Sequence, residues 1–213
     1  MSTGRLPAAG GAINRRIFVQ SVLTGIAASL AGGVAAQAPR ERRHSGWIVP
    51  TTKPDRFNLM VTAFNPIPVP DVTKWELAVE GAGESGVRVK LADLDKLTRI
   101  SQSSRLKCVQ CWSGRVNWQG FRAQDLLKLI GARTDLQWMR VDCADKYYDF
   151  VKLEDLLHPR TLFALGMNDE PLSPEHGAPL RLVMPAKYGY KSSKLITRLT
   201  FVDKGGMGLM ADG

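Results

Sequence analysis

Trp138-Met-Arg-Val-Asp-Cys143, followed by Tyr147-Tyr-Asp-Phe-Val151 and Leu153-Glu-Asp-Leu-Leu157, reads as two short strands and one brief helix. The same grammar extends outward in both directions. Towards the C-terminus, residues 161–167, 180–184 and 195–202 read as strands, the last two flanking a Gly/Ser/Lys loop. Towards the N-terminus, 123–130 is helical, with Leu126, Leu127 and Ile130 on one face and Gly131 as its stop. Residues 105–111 form a strand leading into a loop. Segments 75–79 (Trp-Glu-Leu-Ala-Val) and 87–91 (Val-Arg-Val-Lys-Leu) alternate as strands, and 91–97 is a short helix. Pro50, Pro54, Pro66, Pro68 and Pro70 discourage helix across 39–72, which reads as irregular. Short strands with three brief helices imply an α+β fold rather than a doubly wound sheet.

The chain has 213 residues, 44% hydrophobic and 23% charged, a globular composition that excludes a disordered or fibrous protein. No internal repeat is found, which excludes a solenoid or propeller. The first 16 residues carry Arg5, Arg15 and Arg16 and no acid; the 22 residues 17–38 carry no formal charge and end in Ala36-Gln-Ala38. That is the layout of a secretory signal, and the Arg15-Arg16 pair makes it a twin-arginine signal, whose cargo crosses the membrane folded. A stretch of this length could also span ~30 Å of hydrocarbon as an anchor, but its Ala, Gly, Gln and Ser content is weakly apolar. The expected organisation is a signal over 1–38 and one domain over 39–213, destined for the periplasm.

The net charge of +9 falls to +6 once the three signal arginines are set aside. Lys and Arg are dispersed among acids, and the one dense cluster, Arg40, Arg42 and Arg43, reads as a solvated tail. Nucleic acid is therefore not the expected partner; a basic rim around an anionic cofactor or substrate is.

The chain has three cysteines, Cys108, Cys111 and Cys143. An odd number in an exported protein leaves at least one thiol unpaired. Cys108-Val-Gln-Cys111 is followed by Trp112, not His, so it does not match a covalent haem site. A thioredoxin-like pair needs its first Cys at a helix N-terminus, whereas Cys108 ends a strand. A four-ligand zinc site, a single thiolate on a soft metal, and a plain structural pair all stay open on spacing alone.

The second chemical cluster runs from Glu175-His176-Gly-Ala-Pro-Leu-Arg181 to Lys187-Tyr-Gly-Tyr-Lys191-Ser-Ser-Lys194. It combines cations, hydroxyls and glycine, which suit a phosphate or pyrophosphate. It matches neither the Walker A nor the G-x-G-x-x-G pattern, so neither nucleotide nor NAD is implied. A solvated basic loop is the bland alternative.

Taken in order, Cys108-Val-Gln-Cys-Trp-Ser-Gly-Arg-Val-Asn-Trp118-Gln-Gly-Phe121, His158-Pro159, His176-Gly-Ala-Pro-Leu-Arg181 and Pro185-x-Lys187-Tyr-Gly189-Tyr-Lys resemble the molybdopterin-binding domain of the sulfite oxidase family. Within it they are most similar to the periplasmic branch that reduces methionine sulfoxide in proteins. The resemblance covers about residues 75–202. It implies a mixed-sheet α+β domain of that type, binding molybdopterin with molybdenum. It implies oxygen-atom transfer on a small or protein-bound sulfur-oxo substrate, with electrons exchanged with a separate haem-containing protein. Cys108 then matches the thiolate ligand of molybdenum. His176 and Arg181 match residues holding the pterin and its phosphate, and Ser192, Ser193 and Lys194 the loop that closes on the phosphate. Cys143 takes the place of a cofactor-contacting threonine, and Gln110 that of an acidic residue near the metal. Cys111 falls where relatives carry a small residue. For the N-terminal cofactor contact Asn58 is preferred over Asn65. The rival reading from another class is an exported domain of the same fold that binds or transfers electrons without catalysing.

Overall fold

Two five-stranded sheets grow from strands whose side chains alternate between buried and exposed positions. In the computed structural model the residues described are 49–50, 59–63, 65–109, 112–132 and 135–210, all within one compact unit, Arg42–Gly213. The signal assigned to residues 1–38, Asn58, Gln110 and Cys111 lie outside the described residues.

In chain order the strands are β1 (Val49–Pro50), β2 (Thr62–Ala63), β3 (Glu76–Glu80), β4 (Val87–Lys90), β5 (Ile100–Lys107) and β6 (Ser113–Phe121). They continue as β7 (Trp138–Cys143), β8 (Tyr148–Lys152), β9 (Leu162–Met167), β10 (Glu170–Pro171), β11 (Arg181–Val183) and β12 (Ile196–Val202). Three short helices, α1 (Leu91–Leu94), α2 (Ala123–Leu129) and α3 (Leu153–Leu156), fall where the sequence places them. The α+β class is therefore the observed one. One sheet has the order β4-β3-β12-β7-β8, with β12 parallel to β3 and every other pair antiparallel. The other has the order β10-β9-β6-β5, with β11 also on β9. The segment expected to be irregular holds one small exception, since Val49–Pro50 pairs antiparallel with Thr62–Ala63.

Strand β6, the longest at nine residues, is invisible to simple hydrophobic alternation. Its inward positions are Gly114, Val116, Trp118 and Gly120, so two of the four carry no side chain. Gly120 is required by distance: a Cβ there would lie 1.9 Å from the Phe163 carbonyl oxygen of β9. The register shifts at this point, Gln119 facing Gly166 and Gly120 facing Ala164. Leu165 is passed over as a bulge, which lets Ala164 and Met167 pack in the same cluster with Trp118 and Leu162. On the opposite face the rings of Phe121 and Phe163 stack at 5.7 Å and join the main core, which takes side chains from both sheets and all three helices.

Strands β5 and β6 form one hairpin in unbroken register from Ile100↔Gly120 to Lys107↔Ser113. It closes where the Cys108 N–H donates to the Trp112 carbonyl at 2.9 Å, so Cys108 stands at the root of the connecting turn.

Gly120→Ala forces β6 away from β9 and is expected to cost about 2–3 kcal/mol, by the measure of overpacked cores. Gly83→Ala, where no heavy atom lies within 4 Å, is expected to leave the urea midpoint unchanged. Equal midpoints for both variants would show that the close approach is not a constraint.

Candidate functional site

The turn after β5, the loop between β11 and β12, and the short turn before β11 converge on one cleft. It holds about 960 Å³ of atom-free space, its open mouth included. Cys108, His176, Arg181, Ser192, Ser193 and Lys194 all line it, together with an apolar wall that includes Leu106, Val109 and Trp112. Six of the nine residues selected from sequence are thus brought together.

Glycine at 177 makes the convergence possible. The 3₁₀ turn Pro174–His176 ends on Gly177 at φ 101°, a left-handed conformation that L side chains rarely adopt. A Cβ there would also lie 2.9 Å from the Lys194 Cβ and 3.2 Å from the Arg181 Cβ. The backbone at 177 is the spacer between the two cations. Beyond it, the Leu182 N–H donates to Ser193 O at 2.8 Å and the Ile196 N–H to Leu180 O at 3.0 Å, which fixes the loop against β11. The Ser192 hydroxyl accepts from the Met184 N–H at 3.1 Å and has a structural task.

Arg181 is the electrostatic centre. It is 3% exposed, its Nη1 donates to the His176 carbonyl at 2.9 Å, and its guanidinium lies 4.6 Å above the centroid of the Trp118 ring. Burial lowers its pKa to about 10, and among the described residues it meets no carboxylate. Half-buried Lys194 donates to the Glu175 carbonyl at 2.9 Å; burial, and Arg181 beside it, lower its pKa to about 8. The other lysines of the basic loop are already neutralised. Lys187 pairs with Asp155 at 2.8 Å and Lys191 with Asp149 at 2.7 Å. Arg181 is left facing the cleft with no acid against it among the described residues, while Lys194 is answered only in part by Asp145 and Glu175, which line the same cleft. Among the described residues, three buried polar atoms on lining residues also have no partner: Arg181 Nε, Ser193 Oγ and Trp112 Nε1.

Cys143 is not brought into the cleft. It is the buried end of β7, 6% exposed and packed in the main core, where burial pushes its thiol well up and Asp145 and Asp142 push the same way. Asn65 donates to the Asp145 carbonyl at 2.5 Å, holding the segment after β2 near the cleft. Tyr147 escaped the sequence reading. Its hydroxyl donates to the Tyr190 carbonyl at 2.8 Å and pins the basic loop from 43 positions away, a pairing with no local signal. Among the described residues no three His, Cys, Asp or Glu side chains cluster to hold a metal ion by protein ligands alone, so the four-ligand zinc arrangement is absent there.

Residues 64–209 match the family model of the oxidoreductase molybdopterin-binding domain. The chain belongs to that family. Among its relatives, the protein-methionine-sulfoxide reductase catalytic subunit MsrP of Ralstonia nicotianae is 30% identical over 146 residues, covering 61% of this chain and 44% of that protein. The uncharacterized oxidoreductase YuiH of Bacillus subtilis is 33% identical over 132 residues, covering 62% of this chain and 67% of that protein. The sulfane dehydrogenase SoxCD of Paracoccus pantotrophus superposes with a TM-score of 0.65 at 19% identity, over 74% of this chain and 45% of that one, and shares the fold. The chain thus spans less than half of the Ralstonia protein it resembles.

The family cofactor is molybdopterin with molybdenum, and the residues present fit it. An anionic phosphate group answers the two cations and the unpartnered Arg181 Nε and Ser193 Oγ, all of which otherwise stay buried at a penalty. Cys108 lines the same cleft and offers one soft ligand.

Because the folded pKa of Lys194 lies below the unfolded value of 10.5, its charge opposes folding of the cofactor-free protein below pH 8. That penalty fades as pH rises from about 8 to 10.5. Lys194→Met is therefore expected to raise the cofactor-free Tm at pH 7, with the gain shrinking towards pH 10.5, while the cofactor is no longer retained. A lower Tm at pH 7 would contradict the reading of Lys194 as a strained cation.

Proposed function

We propose that the chain is the catalytic, molybdopterin-binding part of an exported oxidoreductase that transfers an oxygen atom to or from a small sulfur-oxo substrate. The observation that carries the reading is one cleft holding Cys108, the buried Arg181, which no carboxylate answers among the described residues, and the half-buried Lys194, whose burial outweighs the pull of Asp145 and Glu175. When bound, the cofactor supplies two-electron oxygen-atom transfer at molybdenum, chemistry that no side chain provides.

The chain's own residues bind, orient and exclude water. Arg181, Lys194 and the Ser193 hydroxyl would hold the phosphate, and the His176 carbonyl fixes the guanidinium that would do so. His176 itself, buried at the end of its 3₁₀ turn and lining the cleft, would contact the pterin. Cys108 supplies the protein thiolate from a turn closed by its own N–H, which keeps the sulfur in place without a metal-specific fold. Leu106, Val109 and Trp112 would form the apolar wall beside the reacting end, and the Trp112 indole N–H, unpartnered among the described residues, would be a donor for a bound substrate. Gln110 follows Val109 in the sequence, and we assign it to the substrate side.

Electrons leave or arrive singly through a partner. The sequence has no Cys-x-x-Cys-His, and we assign the haem to a separate protein. The Arg15-Arg16 signal fits the same reading, since a cofactor loaded in the cytoplasm requires export of the folded protein to the periplasm.

Elemental analysis of protein matured in a molybdenum-replete host is expected to give about one molybdenum per chain, with oxygen-atom transfer abolished in Cys108→Ser. Stoichiometric metal with no oxygen-atom transfer would favour a binding or electron-relay domain, and absence of both metal and pterin would overturn the assignment.

A further inference from the structure

After β12 the chain does not leave the domain. Segment 205–210, Gly-Gly-Met-Gly-Leu-Met, runs back over β7 and β8 and ends in the wall of the cleft. Its backbone is packed so closely that side chains are excluded at three positions. A Cβ on Gly205 would lie 2.4 Å from the Trp138 ring, one on Gly206 2.9 Å from the Phe150 ring, and one on Gly208 2.1 Å from Asp149 Oδ1. The same carboxylate oxygen holds Lys191 of the basic loop. The Leu209 N–H donates to the Tyr148 carbonyl at 3.1 Å, and the Leu209 side chain is 4% exposed. Met207 between them points away and is 65% exposed. The spacing of glycines therefore matches the rings and carboxylate beneath, and the product of that fit is a defined place for Met210. Met210 is half-buried and lines the cleft that also holds Cys108, Val109 and Trp112.

We propose that segment 205–210 is a specificity-determining strap, and that the Met210 side chain limits the size of the apolar group a substrate can carry next to its oxygen-bearing sulfur. The proposal rests on the oxygen-transfer reading of the cleft. A thioether side chain is long, unbranched and polarizable, suited to closing an apolar pocket against small alkyl substituents. The strap is not part of the anion seat formed by Arg181 and Lys194, so its loss changes which substrate fits rather than whether the cofactor is held.

The test uses the molybdenum-loaded holoenzyme and a series of sulfoxides from dimethyl sulfoxide to methyl phenyl sulfoxide. Two molecules of reduced benzyl viologen supply one electron each and solvent two protons, so the sulfoxide oxygen leaves as water and the sulfur as thioether. Met210→Ala is expected to raise kcat/KM for methyl phenyl sulfoxide relative to dimethyl sulfoxide by ~10-fold or more, the scale set by a few methylenes in an apolar pocket. Gly208→Ala, which dislodges the strap, is expected to move the ratio the same way, and Met207→Ala to leave it unchanged. In protein carrying ¹³C-methyl methionine, the Met210 resonance, assigned through Met210→Leu, is expected to shift on titration with dimethyl sulfide.

An unchanged ratio in Met210→Ala, or a Met210 resonance that ignores the thioether while the wild type turns over sulfoxide, overturns the strap alone. A fully loaded wild type that reduces no member of the series overturns the oxygen-transfer reading and the strap with it. If Gly208→Ala fails to fold, the Met210 variants still decide the matter.

Discussion

A guanidinium buried to 3% exposure, with no carboxylate against it among the described residues, is the constraint around which the site is arranged. Arg181 has one carbonyl, one aromatic face and an unpartnered Nε, a set that leaves its charge largely unanswered within the protein. Such a group is tolerated when a ligand completes it. Lys194, at lower depth, is attracted by Asp145 and Glu175, but burial and the repulsion from Arg181 across a single glycine outweigh them. The chain thus gives up cofactor-free stability to keep an anion seat ready. The nearby lysines do the opposite, spending their charge on Asp149 and Asp155 to tie the loop down.

Close backbone approach is the means by which the sheets carry this strain. Gly120 lets β6 lie against β9, which sets Trp118 beneath Arg181; Gly177 lets Arg181 and Lys194 share one space. The glycines of segment 205–210 apply the same device on the outside of β7 and β8. At each place a methyl group would part elements that the cleft needs together.

The sequence made much of this legible, for reasons that differ by element. Strands such as β7 and β8 bury one side chain in two, and that period shows directly. Strand β6 was lost because Gly114 and Gly120 occupy inward positions, and the start of β5 was lost in a run of serine and glutamine. The parallel pairing of β12 with β3 joins segments about 120 positions apart, beyond any local pattern. In the site, Cys108, His176, Arg181, Ser192, Ser193 and Lys194 came from ordered motifs and meet in one cleft. Cys143 did not, because its position at the buried end of β7 belongs to the core. No local signal could tell Lys194 from Lys187 and Lys191; their acids lie on β8 and α3, more than 30 positions away. No sequence pattern marks Met210, because its proposed role depends on what lies under the glycines before it.

The central claim is that Arg181 and Lys194 form an anion seat that the folded chain holds open. Calorimetric titration of the cofactor-free protein with pyrophosphate near pH 8.5 tests it most directly, because Lys194, with its pKa lowered to about 8, must take up a proton when the anion arrives. The account predicts binding with proton uptake, seen as a heat that varies with the ionisation enthalpy of the buffer, and no binding by Arg181→Met. Equal binding by wild type and Arg181→Met, with no proton uptake, would contradict it.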